Sequence, residues 1–165
     1  MNDEETLAIT LTVNGELLTR VVPVRQHLVD FLRLELGLTG SHLGCEHGIC
    51  GACSIRVDGA VVRGCLMLAA QAHGADVVTI EGLTESGEIA DLQANFVERS
   101  ALQCGYCTPG MLMTAAELLS DAKPATRDEI RRFLSGNYCR CTGYHAIVDA
   151  VETTLKQRIE GAANG

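Results

Sequence analysis

Apolar and polar residues alternate in the first stretch of the chain. Leu7, Ile9, Leu11 and Val13 mark one face of residues 6–13, the period of a half-buried strand. Asn14-Gly15 follows, a dipeptide suited to the left-handed conformations of a type I′ turn, and residues 17–24 return as a second strand. The period then changes. Leu28, Phe31, Leu32 and Leu36 fall at helical spacing, with Gly37 as a natural stop. Residues 40–53 carry no period and read as a loop; residues 54–57 form a short strand, Asp58-Gly59 a second tight turn, and residues 77–80 a β-branched strand. Glycine, serine and acidic residues between 81 and 89 interrupt the apolar pattern, which places a boundary there. Beyond it the pattern is helical. Leu92, Phe96 and Val97 mark one helix, and Met111, Leu112, Ala115, Ala116, Leu118 and Leu119 a second. Thr126-Arg127-Asp128-Glu129 is a capping box ahead of Ile130, Phe133 and Leu134, with Gly136 as stop; Ile147, Val148, Val151, Leu155 and Ile159 stripe a fourth helix. The chain is thus predicted to be α+β, with a hairpin–helix–sheet unit over 1–82 and a small four-helix bundle over 83–165.

A formal net charge of −8 over 165 residues argues against nucleic-acid binding. No run of 18 or more apolar residues occurs, and the first five residues are acidic without a basic or apolar leader pattern, so no membrane insertion and a cytoplasmic location are expected. Each half is small. A domain of this size buries only about 60–65% of the surface its unfolded chain exposes, so a bound metal group would also brace the fold.

The chain holds eight cysteines, in two quartets. Cys45, Cys50, Cys53 and Cys65 read C-x4-C-x2-C with a fourth after a gap, the plant-type ferredoxin spacing; Cys104, Cys107, Cys139 and Cys141 read C-x2-C, a long gap, then C-x-C. Each quartet supplies the four thiolates that one [2Fe–2S] cluster needs. Four disulfides in a secreted scaffold are an alternative, disfavoured by the tight C-x-C and C-x2-C pairs and the missing leader pattern. Four-cysteine zinc sites also use C-x2-C pairs, but the C-x4-C-x2-C loop with Gly44, Gly48 and Gly51 suits an iron–sulfur site better. Those glycines let the backbone wrap closely and aim N–H groups at sulfur, which raises a cluster's potential. With this spacing, the hairpin, crossing helix and further strands suggest a β-grasp, ferredoxin-like first domain.

Thr108 and Pro109 follow Cys107 as N-cap and first helical residue, and Thr142 stands shortly before the fourth helix, so both cysteine pairs of the second quartet are expected at helix N-termini. Two helix dipoles would then favour an anionic cluster. Cys45-Glu46-His47 resembles half a Rieske site, but no C-x-x-H completes it, and His42 and His47 read as surface loop residues. Arg140 either faces the second quartet or is solvated, and Met111 and Met113 read as core.

Three segments carry a family likeness: Gly44-Cys45-Glu46-His47-Gly48-Ile49-Cys50-Gly51-Ala52-Cys53, Gln103-Cys104-Gly105-Tyr106-Cys107-Thr108-Pro109-Gly110, and Gly136-Asn137-Tyr138-Cys139-Arg140-Cys141-Thr142-Gly143-Tyr144. Over residues 7–155 the chain resembles the iron–sulfur small subunit of the xanthine oxidase family of molybdenum hydroxylases, including those of carbon monoxide dehydrogenase and N-heteroaromatic hydroxylases. The resemblance implies an electron-transfer subunit with two [2Fe–2S] clusters and no catalytic residue of its own. It implies a large partner subunit carrying a molybdenum–pterin cofactor and a medium one carrying FAD, in a heterotrimer or a dimer of heterotrimers. The helical-domain cluster would lie beside the pterin and the β-grasp cluster towards the flavin. Gln103 and Cys141 resemble the positions that hydrogen-bond the pterin. The substrate, set by the large subunit, is expected to be an N-heteroaromatic compound or an aldehyde. An independent ferredoxin-like carrier and a zinc-braced interaction module are the competing functions.

Overall fold

The opening alternation forms the expected hairpin: β1 (Thr6–Val13) pairs antiparallel with β2 (Glu16–Pro23), and Asn14 and Gly15 both take positive φ at the turn. The computed structural model describes residues 5–163; residues 1–4 and 164–165, which include most of the acidic opening stretch and the outer ends of both expected units, lie outside the described residues. The buried face of β1 is Ile9, Leu11 and Val13, while Leu7 at the strand's start is exposed. Residues Leu28–Asp30 start a helix that continues over Phe31–Glu35 with π-type bonding; together they form α1, which ends ahead of Gly37 at φ 70°. Its Leu28, Phe31 and Leu32 are fully buried against Ile9, Leu11 and Val22.

Strands β3 (Ser54–Val57) and β4 (Ala60–Arg63) form the second hairpin across Asp58-Gly59, and β5 (Asp76–Val78) completes the sheet. The order is β2-β1-β5-β3-β4, with β5 parallel to β1 and antiparallel to β3. This mixed sheet crossed by α1 is the expected β-grasp arrangement. Ile80 differs from expectation. It opens helix α2 (Ile80–Glu85) instead of ending a strand, and α2 occupies ground expected to be linker. Ile80 and Leu83 point into the second core, where burial overrides the β-branched preference.

The helical part consists of α3 (Ala90–Glu98), α4 (Thr108–Leu119), α5 (Arg127–Leu134) and α6 (His145–Ala163). Met111 and Met113 are fully buried core residues, as expected. Val97, assigned to the buried stripe of α3, is 72% exposed, because that helix turns Leu92, Asn95 and Phe96 inward instead. Phe133 on α5 is likewise exposed, beside buried Ile130 and Leu134. The capping box of α5 is present: Glu129 N–H donates to Thr126 Oγ1 at 3.3 Å, and Thr126 N–H donates to Glu129 Oε2 at 2.7 Å. Gly136 is not a left-handed stop. Its φ is ordinary, and a Cβ there would meet Arg63 Nη2 at 2.8 Å.

Candidate metal centres

The first quartet is gathered by a loop whose backbone folds back on itself. Glu46, Gly48 and Gly51 take φ of 55°, 75° and 77°, and the turns aim amides at sulfur. His47 N–H and Cys50 N–H reach Cys45 Sγ at 3.4 and 3.3 Å. These backbone bonds, His47 first, lower the Cys45 thiol to about 6. Gly44 lines the same cradle, since a Cβ there would lie 3.0 Å from Cys50 Sγ. Cys53 sits immediately ahead of the inner strand β3 and Cys65 just beyond β4, both buried; burial pushes the Cys53 thiol up to about 11.

The second quartet lies between helices. Cys107, not Thr108, is the residue from which α4 starts: its carbonyl accepts Met111 N–H at 3.0 Å, and Thr108 and Pro109 occupy the first helical turn. The expected cap is therefore displaced by one residue. Burial pushes the Cys107 thiol up to about 12. Cys139 and Cys141 stand ahead of α6 in a turn closed by Thr142 N–H to Cys139 Sγ (3.3 Å) and by Cys139 N–H to the Tyr144 hydroxyl (2.9 Å). Tyr144 takes φ of 65°, an unusual conformation for a bulky residue. Burial acts to raise the Cys139 thiol, but the bonds from Thr142 outweigh it and hold the thiol below its ordinary value. Cys141 is exposed, and its thiol is raised by the neighbouring Cys104. Cys107 thus stands at the N-terminus of α4, whereas Cys139 and Cys141 lie in a hydrogen-bonded turn ahead of α6.

All eight cysteines are free thiols. They meet in pairs: Cys45 with Cys50 and Cys53 with Cys65 in the first group, Cys104 with Cys141 and Cys107 with Cys139 in the second. Each pair also senses its neighbour electrostatically, through Cys50 and Cys53 in one group and Cys104 and Cys107 in the other. Among the described residues no three His, Cys, Asp or Glu side chains converge closely enough to hold a single ion. A donor set of two adjoining thiol pairs, lined by N–H groups, suits a dinuclear centre with two thiolates per metal better than the single tetrahedral point that zinc requires.

The two centres are joined. Tyr138 N–H donates to the Cys50 carbonyl at 2.8 Å, so a ligand candidate of one group is hydrogen-bonded to the residue preceding Cys139 of the other. A second contact lies alongside it. His42 stacks on Tyr106 with ring centroids 4.5 Å apart, its Nδ1 lies 2.8 Å from the Tyr106 carbonyl, and the Tyr106 hydroxyl donates to the Leu43 carbonyl. His42 is thus half-buried between the motifs and not a plain surface residue, whereas His47 and Arg140 are exposed. Gln103 is exposed beside Cys104, as is Cys141 in the second motif. Sequence spacing found the cysteines, but it gave no sign of the His42–Tyr106 contact or of the meeting of Asn137 with Arg63 and Thr114, both of which form only where the two halves pack.

Residues 11–78 match the 2Fe-2S iron-sulfur cluster binding domain family, and residues 79–152 the [2Fe-2S] binding domain family. The chain is 51% identical over 150 residues to the caffeine dehydrogenase subunit gamma of Pseudomonas sp. (strain CBB1), covering 88% of this chain and 89% of that one. It is 42% identical over 159 residues to the xanthine dehydrogenase iron-sulfur-binding subunit of Escherichia coli O157:H7, covering 92% and 96%. A chain of the crystal structure of quinoline 2-oxidoreductase from Pseudomonas putida 86 superposes with a TM-score of 0.87 at 45% identity, over 97% of this chain and 98% of that one.

Proposed function

The chain belongs to the iron–sulfur small subunits of the xanthine dehydrogenase family, and from that premise we propose which residues hold its clusters, what it docks against and which way electrons pass. Its role is electron transfer within a multi-subunit oxidoreductase, and it binds 2Fe-2S clusters through both matched domains. In our assignment Cys45 with Cys50 and Cys53 with Cys65 hold the first cluster, and Cys104 with Cys141 and Cys107 with Cys139 hold the second. A bound [2Fe–2S] cluster supplies one-electron redox chemistry at a potential that local charge and hydrogen bonds tune. The chain contributes the ligands, the amides of His47, Cys50 and Thr142, and the burial of Cys53 and Cys65 that keeps water from one side.

The observation that carries this reading is the bond from Tyr138 N–H to the Cys50 carbonyl, which makes a continuous backbone link from the first quartet to Cys139 of the second. We assign the units 1–82 and 83–165 to the two clusters, with α2 spanning the join. Gln103 and Cys141, both exposed, would face the molybdenum–pterin cofactor of a large subunit, and the first quartet would face the FAD of a medium subunit. All three tyrosines of the chain, Tyr106, Tyr138 and Tyr144, are exposed within or beside the second cysteine motifs, together with Leu102. An aromatic patch of this kind suits a permanent interface more than a transient one. The relatives named for caffeine and quinoline favour an N-heteroaromatic substrate for the assembled enzyme. No helix is long and apolar enough to cross a membrane among the described residues, and we place the complex in the cytoplasm.

The test is metal and cofactor analysis of the natively purified complex, with EPR after dithionite reduction. Four irons per chain, two distinct reduced signals, and molybdenum and FAD on co-purifying chains are expected. Four irons on a lone chain would favour an independent ferredoxin-like carrier, and zinc in place of iron would overturn the assignment.

A further inference from the structure

Between the two quartets lies a polar residue that neither centre requires as a ligand. Asn137 is 1% exposed, and both ends of its amide are occupied. Its Nδ2 donates to the Gly51 carbonyl at 3.2 Å; its Oδ1 accepts from Thr114 Oγ1 at 3.0 Å and from Arg63 Nη2 at 3.4 Å. Arg63 Nη2 also donates to the Gly136 carbonyl at 2.9 Å, and its Nη1 donates to Ser54 Oγ. Ser54 in turn donates through Oγ to the Gly51 carbonyl at 2.7 Å. That one carbonyl, adjoining Cys50, is therefore held from both halves of the chain.

Sterics tighten the same point. A Cβ on Gly51 would lie 2.6 Å from Asn137 Cγ and 2.7 Å from the Gly136 carbonyl oxygen. A Cβ on Gly110 of α4 would lie 2.2 Å from the Gly51 carbonyl oxygen. The backbone of the first loop is thus in direct contact with the segments that carry the second quartet. A buried amide paired at both its oxygen and its nitrogen fixes geometry in a way that apolar packing does not, because a shift leaves a desolvated donor or acceptor unpaired.

We propose that Asn137, braced by Arg63 and Thr114, is a positioning residue for electron passage: it holds Gly51 so that the adjoining Cys50 carbonyl receives Tyr138 N–H and the two clusters keep one fixed separation and orientation. Asn137 and Tyr138 are consecutive, as are Gly51 and Cys50, so the amide bond and the backbone bond form a two-point clamp between the loops. The clamp acts on the coupling between centres and not on the holding of either. The inference rests on the ligand assignment above, which the unaltered complex tests by itself through its iron content and its two reduced EPR signals.

The experiment uses the holo-complex with Asn137→Asp, which keeps the side-chain shape but turns an oxygen towards the Gly51 carbonyl. Thr114→Val and Arg63→Lys serve as milder variants that loosen Asn137 without touching Gly51. Iron content and the visible spectrum report cluster retention, and low-temperature EPR of the fully reduced protein reports the spin–spin splitting between clusters. Redox titration reports the two potentials. The expected result is full iron in the variants, with loss or narrowing of the splitting and a changed gap between the two potentials, largest for Asn137→Asp. Unchanged splitting and potentials at full iron loading would overturn the proposal. So would loss of splitting only in step with loss of iron across the variants, which would make the network a structural support. If Asn137→Asp does not assemble, the other two variants decide by the same criteria. Absence of two reduced signals in the unaltered complex would overturn the ligand assignment and this inference together.

Discussion

Gly110 lies so near the carbonyl of Gly51 that no side chain fits between them, and the obstacle is backbone, which cannot step aside as a flexible side chain can. Gly110→Ala should therefore destabilise the protein by about 1–3 kcal/mol, the usual cost of overpacking a tight contact. The change should also lower iron retention, because the first cysteine loop is what would have to move. Gly161→Ala should act in the opposite sense. It sits in α6 with nothing within 4 Å of its Cβ position, so relief of helical glycine should add about 0.5–1 kcal/mol. Thermal unfolding of both variants beside the parent checks the pair, and equal effects would contradict the steric account. At this scale the cysteines were legible in the sequence because ligand spacing is local within each motif. The partners of Asn137 were not, since residues 51, 63, 114 and 137 meet through the packing of the two units and share no sequence period.

Helix α5 shows how far a local signal can carry. The Thr126 and Glu129 exchange predicted from four consecutive residues is formed, because a capping box needs no partner outside its own turn. Thr126→Ala should cost roughly 0.5–2 kcal/mol and lower the melting temperature, measured by circular dichroism at 222 nm. Where an element depends on tertiary partners, the sequence misled: Ile80 belongs to α2 because its side chain has a second core to enter, and Val97 is exposed because α3 packs along Asn95 and not along its most apolar line. The start of α3 and the segment just before it are tied down by ion pairs that the sequence did not announce. Arg158 on α6 grips Asp91 through two nitrogens at 2.7 Å, and Arg56 on β3 grips Glu88 at 3.0 and 2.6 Å. Hydrogen bonding to these arginines holds both carboxyls below their ordinary values. Each folded-state value is thus below the unfolded one, so their contribution is present near neutral pH and is lost as pH falls through the folded values. Asp91→Asn should lower stability near pH 7 and shrink the difference from the parent in acid. A difference that stays constant as pH is taken well below the ordinary Asp value of about 3.9 would exclude that linkage in thermal unfolding.

Taken whole, the molecule has two apolar cores, one between the sheet and α1 and one among α2–α6, joined by polar contacts that run beside the cysteine motifs. Charge and apolar surface are distributed unevenly around that join. The net charge is −8, yet the exposed residues of the second cysteine motifs include Leu102, Tyr106, Tyr138 and Tyr144. Clustered aromatic exposure on an otherwise acidic chain points to a surface meant to be covered. The division into a hairpin-led unit and a helical unit was visible in the change of apolar period, because each core is built from nearby residues. That exposed surface was not visible, because exposure depends on which faces the cores leave over. Leu102 and Tyr138 offer a clean test. The Tyr138 side chain is 55% exposed, and its backbone N–H, which bonds Cys50, is unaffected by a side-chain change. The double variant Leu102→Glu, Tyr138→Glu places two carboxylates beside the second quartet, where burial against a partner would leave them desolvated and unpaired. It should retain iron and its visible spectrum but fail to co-purify with its partner subunits, read by size-exclusion chromatography and sedimentation velocity. If assembly is undisturbed, the partners dock elsewhere, and the exposed Ile49 and Leu66 beside the first quartet become the surface to alter next.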